Sequence, residues 1–315
     1  MQIHSPELLI LSRQIRLMKF FRPLFLALLI AFATASCKLP AYVLSDKQID
    51  DHYKNRKIKP KLKYINYKSY HIYHAIVGDS TKPILLYIHG APGAWYSSMR
   101  ILDDTVLQKN FRMIAVDRAG FGKSNYGLAV TSIEQHVGYL EKLVNEYNIP
   151  GHKIYVMGSS YGAPIAAAFA MDNPELVQEL YLISPVLDPS TEKIFWFSYM
   201  AKLSMVNMWL PPSWNVATDE KFAHRRELRK LKPLWKQIIN KTYVLMGQKD
   251  WIADRSNLIF AKRMLVNADH PEFYLLPNVG HGIIFQRADV VKCLLLKKEI
   301  EEKQFTFAVS PTKPH

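Results

Sequence analysis

Short, nearly continuous apolar runs recur along this chain of 315 residues and limit its fold more than any other feature. The runs do not alternate with polar residues, which indicates strands buried on both faces, as in a parallel sheet. Helical patterns lie between them, and this alternation predicts a doubly wound α/β sheet. The apolar runs are 83–89, 113–117, 153–158, 180–184, 242–247 and 273–277, and the helical patterns are 132–147, 161–172, 254–266 and 283–303.

Two further segments complete the predicted organisation of this sheet. Residues 71–77 alternate between apolar and polar side chains, which favours an early antiparallel strand at the edge. Residues 186–238 are rich in aromatic side chains but contain no buried strand, so we predict a helical cap inserted between two strands. These aromatic residues fit either a cover over a pocket or, more simply, a small core of the insertion itself. The α/β core would comprise residues 70–185 and 239–303, before a tail at 304–315.

An apolar run of twelve residues at 24–35 follows basic residues and ends just before a cysteine. A positive segment, a short apolar core and small residues describe a secretory signal, and Cys37 stands where the lipidated cysteine of a bacterial lipobox stands. We therefore expect residues 1–36 to be a signal peptide of lipoprotein type. The protein would then be exported and anchored in the membrane of a bacterial cell envelope. An uncleaved anchor is the alternative, and Met18 is a second candidate for the translation start.

The chain is basic, with a net charge of +14 at pH 7. Basic proteins often meet nucleic acid or anionic membranes, but the basic residues here are spread out and form no nucleic-acid-binding motif, so no nucleic-acid partner is expected. Residues 37–69, which include a basic run at 52–63, are expected to form a tether and a first edge strand. Only two cysteines occur, Cys37 and Cys293, which excludes a disulfide framework and a four-cysteine zinc site.

The strongest local motif is Gly-Ser-Ser-Tyr-Gly at 158–162, between a predicted strand and a predicted helix. A G-x-S-x-G sequence forces a sharp turn that exposes its central serine at the carboxyl edge of the sheet. The start of the following helix favours negative charge that develops on this serine. Ser160 is therefore the candidate nucleophile, and Ser159 is the competing hydroxyl. A tight turn with a capping serine is the non-catalytic alternative.

A nucleophilic serine requires a base and a carboxylate that orients the base. His281, flanked by two glycines, and Asp250 each follow a different predicted strand. Because the carboxyl ends of parallel strands meet at one edge, we expect both side chains near Ser160. The order serine, aspartate, histidine is the one typical of this architecture. Asp188 and Asp254 are rival acids.

A tetrahedral oxyanion requires N–H donors that are already in place. The backbone of Tyr161, directly after the candidate nucleophile, is expected to supply one donor. The second is expected from Ala91 in the loop His-Gly-Ala-Pro-Gly at 89–93, whose glycines and proline suit a tightly shaped backbone. An ordinary turn is the alternative for this loop.

Five ordered motifs across residues 70–300 resemble those of the α/β-hydrolase superfamily. The resemblance implies a doubly wound, mostly parallel sheet (the α/β-hydrolase fold) with a helical cap insertion. It also implies Ser160 as nucleophile, His281 as base and acid, and Asp250 as orienting carboxylate, whereas the loop at 117–124 mainly shapes a turn. The motifs are HGAPG at 89–93, DRAGFGKS at 117–124, GSSYG at 158–162, GQKD at 247–250 and GHG at 280–282.

The resemblance implies a serine hydrolase that cleaves an ester or amide bond of a small substrate through an acyl-enzyme. The HG-x-PG form is similar to the branch of proline iminopeptidases, which usually have Gly where Ala91 stands and Trp where Tyr161 stands. A carboxylesterase is thus the first expectation and an aminopeptidase the second. The expected partners are a small ester, amide or short peptide substrate and the membrane through the lipid anchor, and no metal or organic cofactor is implied.

The alternatives differ in what they require of the chain. An aminopeptidase needs an acid for the substrate's ammonium, and Glu192, Glu220 and Glu227 lie in the insertion, where acids are usually solvated. Epoxide hydrolases and haloalkane dehalogenases of this fold use an aspartate nucleophile, so a serine disfavours both. A non-catalytic, envelope-anchored binding protein of the same fold is the alternative from another class.

Overall fold

The computed structural model describes residues 44–298. The signal peptide predicted at 1–36, the lipidation predicted at Cys37 and the tail predicted at 304–315 lie outside the described residues. The strands are β1 (Lys61–Tyr67), β2 (Tyr70–Gly78), β3 (Ile84–Ile88), β4 (Arg112–Val116), β5 (Ile154–Ser159), β6 (Val177–Ile183), β7 (Lys241–Gly247) and β8 (Glu272–Leu276). The α-helices are α1 (Asp46–Tyr53), α2 (Met99–Leu102), α3 (Thr105–Asn110), α4 (Ile133–Tyr147), α5 (Gly162–Asp172), α6 (Trp196–Ala201), α7 (Ser204–Asn207), α8 (Pro212–Leu231), α9 (Ser256–Met264), α10 (Ile283–Gln286) and α11 (Ala288–Leu295), and two 3₁₀ helices lie at Trp95–Ser98 and Lys232–Gln237.

The eight described strands form one sheet in the order β1-β2-β4-β3-β5-β6-β7-β8. The pairs β1–β2 and β2–β4 are antiparallel, and all other pairs are parallel. Each of the six apolar runs found in the sequence overlaps one strand, and all five residues of β3 are buried. The predicted doubly wound, mostly parallel sheet is therefore present.

Alternate residues of the central strands feed two hydrophobic clusters, one on each face of the sheet. Leu86 and Ile114 point towards the cluster that contains α4, α5 and α9. Leu85 and Met113 point towards the cluster that contains α1, α2 and α11. This two-sided burial explains why the strands are nearly continuous in apolar residues. Within residues 44–298, no helix is both long enough and apolar enough to cross a bilayer.

The prediction that residues 71–77 form an edge strand is wrong about position, although the strand is antiparallel. β2 lies between β1 and β4, and its stretch Ile72–Val77 is buried. The edge strand on this side of the sheet is β1, whose residues are mostly exposed and include Lys61 and Lys63. Lysines on an exposed edge oppose pairing with another chain.

Residues 44–69 contain more regular structure than the expected tether and strand. Helix α1 begins after Ser45, whose hydroxyl accepts the N–H of Gln48 while the Gln48 side chain accepts the N–H of Ser45. This reciprocal capping fixes the start of the helix. Ile49 and Tyr53 then bury one face of α1 against the core.

The single helix predicted at 283–303 is broken within its described part. Helix α10 ends at Gln286 and α11 begins at Ala288, because Arg287 has a φ of −138° and a ψ of 45°, outside the helical region. Cys293 lies in α11 and is half-buried.

The insertion between β6 and β7 consists of α6, α7, α8 and a 3₁₀ helix. Its aromatic residues pack in pairs, such as Phe195 with Phe197 and Tyr199 with Phe222, but among the described residues they form no buried core of the insertion's own, which the sequence favoured. Trp235 is buried in the main core, whereas Trp196 and Trp209 are 77% and 70% exposed. The first two helices of the insertion thus leave much apolar surface in water.

Burial of His74 on β2 predicts a loss of stability in acid. Desolvation lowers the pKa of His74 to about 4, and its Nε2 lies 3.0 Å from the Tyr147 hydroxyl. Because the folded pKa lies below the unfolded value, this contribution is present above pH 6.5 and is lost as the pH falls towards 4. Between pH 7 and 4.5 the free energy of unfolding should fall by about 2 kcal/mol more for the wild type than for His74→Gln.

Urea unfolding at the two pH values measures this difference. His152→Gln is the matched control, because His152 is exposed and its replacement should not change the pH dependence. Equal pH dependence of the wild type and His74→Gln would contradict the assignment.

Candidate active site

Ser160 lies in the turn between β5 and α5 with a φ of 53°, in the left-handed region. A residue other than glycine is strained there, and such strain persists only where the surrounding structure enforces it. The N–H of Ser160 donates to the Ile183 carbonyl at 2.9 Å, and the N–H of Ala163 donates to the Ser160 carbonyl at 3.1 Å. The turn holds the Ser160 side chain at the carboxyl edge of the sheet.

Two glycines let the backbone pass closely enough to make this turn. A Cβ on Gly162 would overlap the carbonyl of Ile88 in β3, and a Cβ on Gly158 would overlap the carbonyl of Gly162. The first turn of α5 therefore sits directly against the sheet, as the G-x-S-x-G motif predicts.

The structure brings together the three side chains predicted to carry catalysis. His281 Nε2 lies 2.8 Å from Ser160 Oγ, and His281 Nδ1 lies 2.8 Å from Asp250 Oδ2. A carboxylate only accepts hydrogen bonds, so Nδ1 carries the proton and Nε2 is free to accept from the serine. The Asp250 side chain is fully buried, whereas that of His281 is 19% exposed.

Backbone contacts position the acid and the base. The second oxygen of Asp250, Oδ1, accepts the N–H groups of Ile252 and Ala253 at 3.0 and 2.9 Å. The N–H of Lys249 donates to the Val279 carbonyl at 2.8 Å, which ties the loop after β7 to the loop that carries His281. The carboxylate is thus fixed before any substrate binds.

The rival residues are engaged elsewhere. Asp254 pairs with Lys193 at 2.9 Å, and hydrogen bonds from the Ser256 N–H and from Lys193 lower its pKa to about 2. Asp188 accepts from the N–H and hydroxyl of Ser190. Ser159, the competing hydroxyl, contacts the Tyr87 hydroxyl rather than the base.

The loop at 89–93 lies against the candidate nucleophile. A Cβ on Gly90 would come within 2.9 Å of Ser160 Cβ and 3.4 Å of Ser160 Oγ, so the backbone at this point borders the serine. Among the described residues, no acceptor is bonded to the N–H of Ala91 or to the N–H of Tyr161. Both groups are therefore free to donate to a substrate oxygen, and their role as oxyanion donors stays a prediction.

The three insertion acids are buried, and the expectation that they are solvated is wrong. Glu192, Glu220 and Glu227 are 3%, 0% and 3% exposed, and cations pair with all three. Glu192 binds Lys221 at 2.5 Å, and Glu227 binds Lys230 at 2.8 Å. Glu220 binds Arg118, a core residue that sequence analysis passed over inside the turn motif at 117–124.

Asp117, at the start of that motif, has the structural role predicted for it. Its carboxylate accepts the N–H of Trp95 at 2.7 Å and the N–H of Lys123 at 2.8 Å. Burial raises the pKa of Asp117 to about 7, although these hydrogen bonds oppose the shift. Gly122 has no room for a Cβ beside this carboxylate.

A cavity of about 470 Å³ opens between the insertion and the core and is lined in part by Tyr199, Arg225 and Asp254, but not by Ser160 or His281. Within residues 44–298, no group of three or more His, Cys, Asp or Glu side chains is arranged to hold a metal ion.

Comparisons with known proteins bear on the fold and the family. The sequence profile described as alpha/beta hydrolase fold matches residues 83–205. The chain is 30% identical over 138 residues to a proline iminopeptidase of Lactobacillus helveticus, across 42% of this chain and 45% of the relative. It is 28% identical over 120 residues to epoxide hydrolase 1 of Caenorhabditis elegans, across 38% of this chain and 29% of the relative.

Among solved structures, a carboxylesterase from Bacillus subtilis has a TM-score of 0.57 at 17% identity, covering 79% of this chain and 94% of that one. This likeness shows the fold, and the sequence matches span less than half the length of the curated relatives named here. The family resemblance drawn from the five motifs is confirmed. The chain therefore has the α/β-hydrolase fold and is similar to members of that superfamily.

Proposed function

We propose that the protein is a serine hydrolase that cleaves an ester or amide bond of a small substrate through an acyl-enzyme. The observation that carries the proposal is the continuous line of hydrogen bonds from Ser160 through His281 to Asp250, each 2.8 Å long. A nucleophile, a base within hydrogen-bond reach and a buried orienting acid are the parts that acyl transfer requires.

The proposed first step is attack of Ser160 Oγ on the carbonyl carbon of the substrate. The Oγ–C bond forms, the carbonyl π electrons move to the oxygen, and the serine proton passes to His281 Nε2. The N–H groups of Ala91 and Tyr161 stabilise the oxyanion, while Asp250 stabilises the imidazolium through Nδ1. Water is excluded from Asp250 by its burial, which strengthens this interaction.

Collapse of the intermediate releases the leaving group, which takes the proton from His281 Nε2. Water then attacks the acyl-Ser160 ester and gives its proton to the same nitrogen. The second collapse returns that proton to Ser160 and releases the carboxylic acid. Every step uses one base and one oxyanion site, and none requires a metal or an organic cofactor.

Within this class we propose a carboxylesterase-like activity as the first candidate. An aminopeptidase needs an unpaired acid for the substrate's ammonium, and Glu192, Glu220 and Glu227 are all buried and paired with cations. The similarity to a proline iminopeptidase keeps aminopeptidase activity as the second candidate. Hydrolysis of 4-nitrophenyl acetate against aminoacyl-4-nitroanilides distinguishes the two.

Labelling with a fluorophosphonate tests the nucleophile. The wild type should react covalently, because an activated serine attacks the phosphorus, and Ser160→Ala should abolish the label. Ser159→Ala is the matched control, since it removes the neighbouring hydroxyl and should leave labelling intact.

Labelling that persists in Ser160→Ala and disappears in Ser159→Ala would identify Ser159 as the nucleophile instead. A folded wild type that neither labels nor hydrolyses a small activated ester would favour a binding protein of this fold.

Asp250→Asn should lower kcat by about 10³-fold or more while KM changes little. The amide would donate to Nδ1 and so place the histidine proton on Nε2, where it blocks acceptance from Ser160. Asp254→Asn, four residues away on the same loop, is the control and should keep kcat within about threefold, because Asp254 pairs with Lys193. Steady-state hydrolysis of an ester measures both, and equal kcat values for Asp250→Asn and wild type would remove Asp250 from the triad.

We also propose that the mature protein is an exported lipoprotein anchored through Cys37. The support is the sequence alone: a basic segment, the apolar run at 24–35 and the cysteine that follows. Expressed with its full sequence in a bacterium fed radioactive palmitate, the wild type should carry label in the membrane fraction. Cys37→Ala should lose the label, and Cys293→Ala is the matched cysteine control. Equal labelling of Cys37→Ala and wild type would exclude this anchor.

A further inference from the structure

The Arg118 guanidinium is fully buried beneath the loop at 89–93. Its Nε donates to the His89 carbonyl at 2.9 Å, and its Nη2 donates to the Gly90 carbonyl at 3.1 Å. The backbone N–H of Arg118 also donates to His89 Nε2 at 2.9 Å. One residue of the turn after β4 thus holds two successive peptide units of the loop beside Ser160.

The Gly90 carbonyl shares a peptide unit with the N–H of Ala91. Because a trans peptide unit is planar, with C=O and N–H pointing in opposite directions, fixing the carbonyl fixes the direction of the N–H. His89 Nδ1 lies 2.6 Å from the same carbonyl. Burial, reinforced by the charge of Arg118, keeps the pKa of His89 well below its usual range, so the ring is neutral with its single proton on Nδ1. Two donors to the Gly90 carbonyl, one from Arg118 and one from His89, therefore fix the direction of the Ala91 N–H.

Arg118 also contacts the residue that carries the second free N–H. Its Cζ lies 4.8 Å from the centroid of the Tyr161 ring, a stacking distance for a guanidinium on an aromatic face. The N–H of Tyr161 belongs to the peptide unit directly after the candidate nucleophile. One side chain therefore contacts both residues or peptide units that carry the expected oxyanion donors.

The insertion supplies the counter-ion for this guanidinium. Glu220, in α8, accepts from Nη1 and, at 3.0 Å, from Nη2 of Arg118, and neither side chain is exposed. His136 Nε2 lies 3.6 Å from Glu220. Burial alone would raise the pKa of Glu220, but Arg118 and His136 outweigh it, so the pKa lies below its ordinary value and the pair is ionised. Without Glu220, Arg118 would be a buried charge with no counter-ion, which is strongly unfavourable.

We propose that Arg118 is a positioning residue that aims the oxyanion donors, and that Glu220 of the insertion holds Arg118 in place. The packing of the insertion against the core and the positioning of the oxyanion donors then depend on the same ion pair. This inference rests on the proposed hydrolase function and deepens it, because it assigns a catalytic consequence to a residue that does not touch the substrate.

Two variants test the positioning role through the split between kcat and KM for ester hydrolysis. Arg118→Lys keeps a cation for Glu220 but has one nitrogen, so it cannot serve both carbonyls and should lower kcat by about 10- to 100-fold with KM within about threefold. The double variant Arg118→Met with Glu220→Met replaces the ion pair by apolar side chains, a change that often leaves stability intact. Its melting temperature should stay near that of wild type while kcat stays low.

Glu220→Gln tests the contribution of the insertion and should lower kcat at least threefold without a matching rise in KM. Glu179→Gln is the control: Glu179 is also a buried acid, paired with Lys297, but it lies at the start of β6, away from the carboxyl edge. It should change stability and leave kcat unchanged.

The outcomes separate the proposals. Wild-type kcat in folded Arg118→Lys, or recovery of kcat in the double Met variant, would overturn the positioning role and leave the ion pair a purely structural one. Should Arg118→Lys fail to fold, the double variant decides alone. Wild-type kcat in Glu220→Gln would show that the insertion does not contribute to the positioning of the oxyanion donors. A folded wild type that hydrolyses no activated ester would instead refute the hydrolase function itself, and hydrolysis that survives in Ser160→Ala would refute Ser160 as its nucleophile.

Discussion

The left-handed backbone of Ser160 is the constraint on which the whole site depends. A φ of 53° is unfavourable for serine, and it is maintained because β5 ends against β6 while the first turn of α5 presses on β3. Gly162 permits that contact, since any side chain there would meet the Ile88 carbonyl. The same packing that strains Ser160 thus brings the end of β3, and with it the loop at 89–93, to the serine. Asp250 and His281 follow because their strands end at the same edge.

Much of this arrangement follows from the sequence because each part carries a local signal. Strands buried on both faces give continuous apolar runs, and turns that demand glycine give G-x-S-x-G and the flanked His281. Ser160, His281 and Asp250 each directly follow a predicted strand. Because the strands of a parallel sheet end at one edge, these positions predicted that the three side chains lie together. Helix α1 escaped notice because its capping pair at Ser45 and Gln48 precedes a stretch with few apolar residues. The interior position of β2 in the sheet depends on its pairing with β1, and no pattern within residues 71–77 indicates that pairing.

The seating of the insertion escaped prediction for a different reason. The buried face of helix α8 carries Glu220, His224 and Glu227, each at most 3% exposed. These positions are spaced by four and three residues, so they lie on one side of the helix. Hydrophobic periodicity assigns charged side chains to solvent, and here the buried side is polar. Arg118 pairs with Glu220, and the N–H of Ile133 at the start of α4 donates to Glu227 at 3.3 Å. Such pairs join residues about a hundred positions apart and leave no local trace.

Stability alone is a poor explanation for the ion pair between Arg118 and Glu220. Burying two charges is costly, and apolar residues of similar volume often serve a fold equally well. Geometry explains more. A guanidinium presents its donors in one rigid plane, and here that plane serves four oxygens at once: two of Glu220 and the carbonyls of His89 and Gly90. A lysine has neither the plane nor the reach, and an apolar pair has no donors. The residue that satisfies all four acceptors is therefore the one that can hold the insertion and the loop beside Ser160 in a single fixed relation.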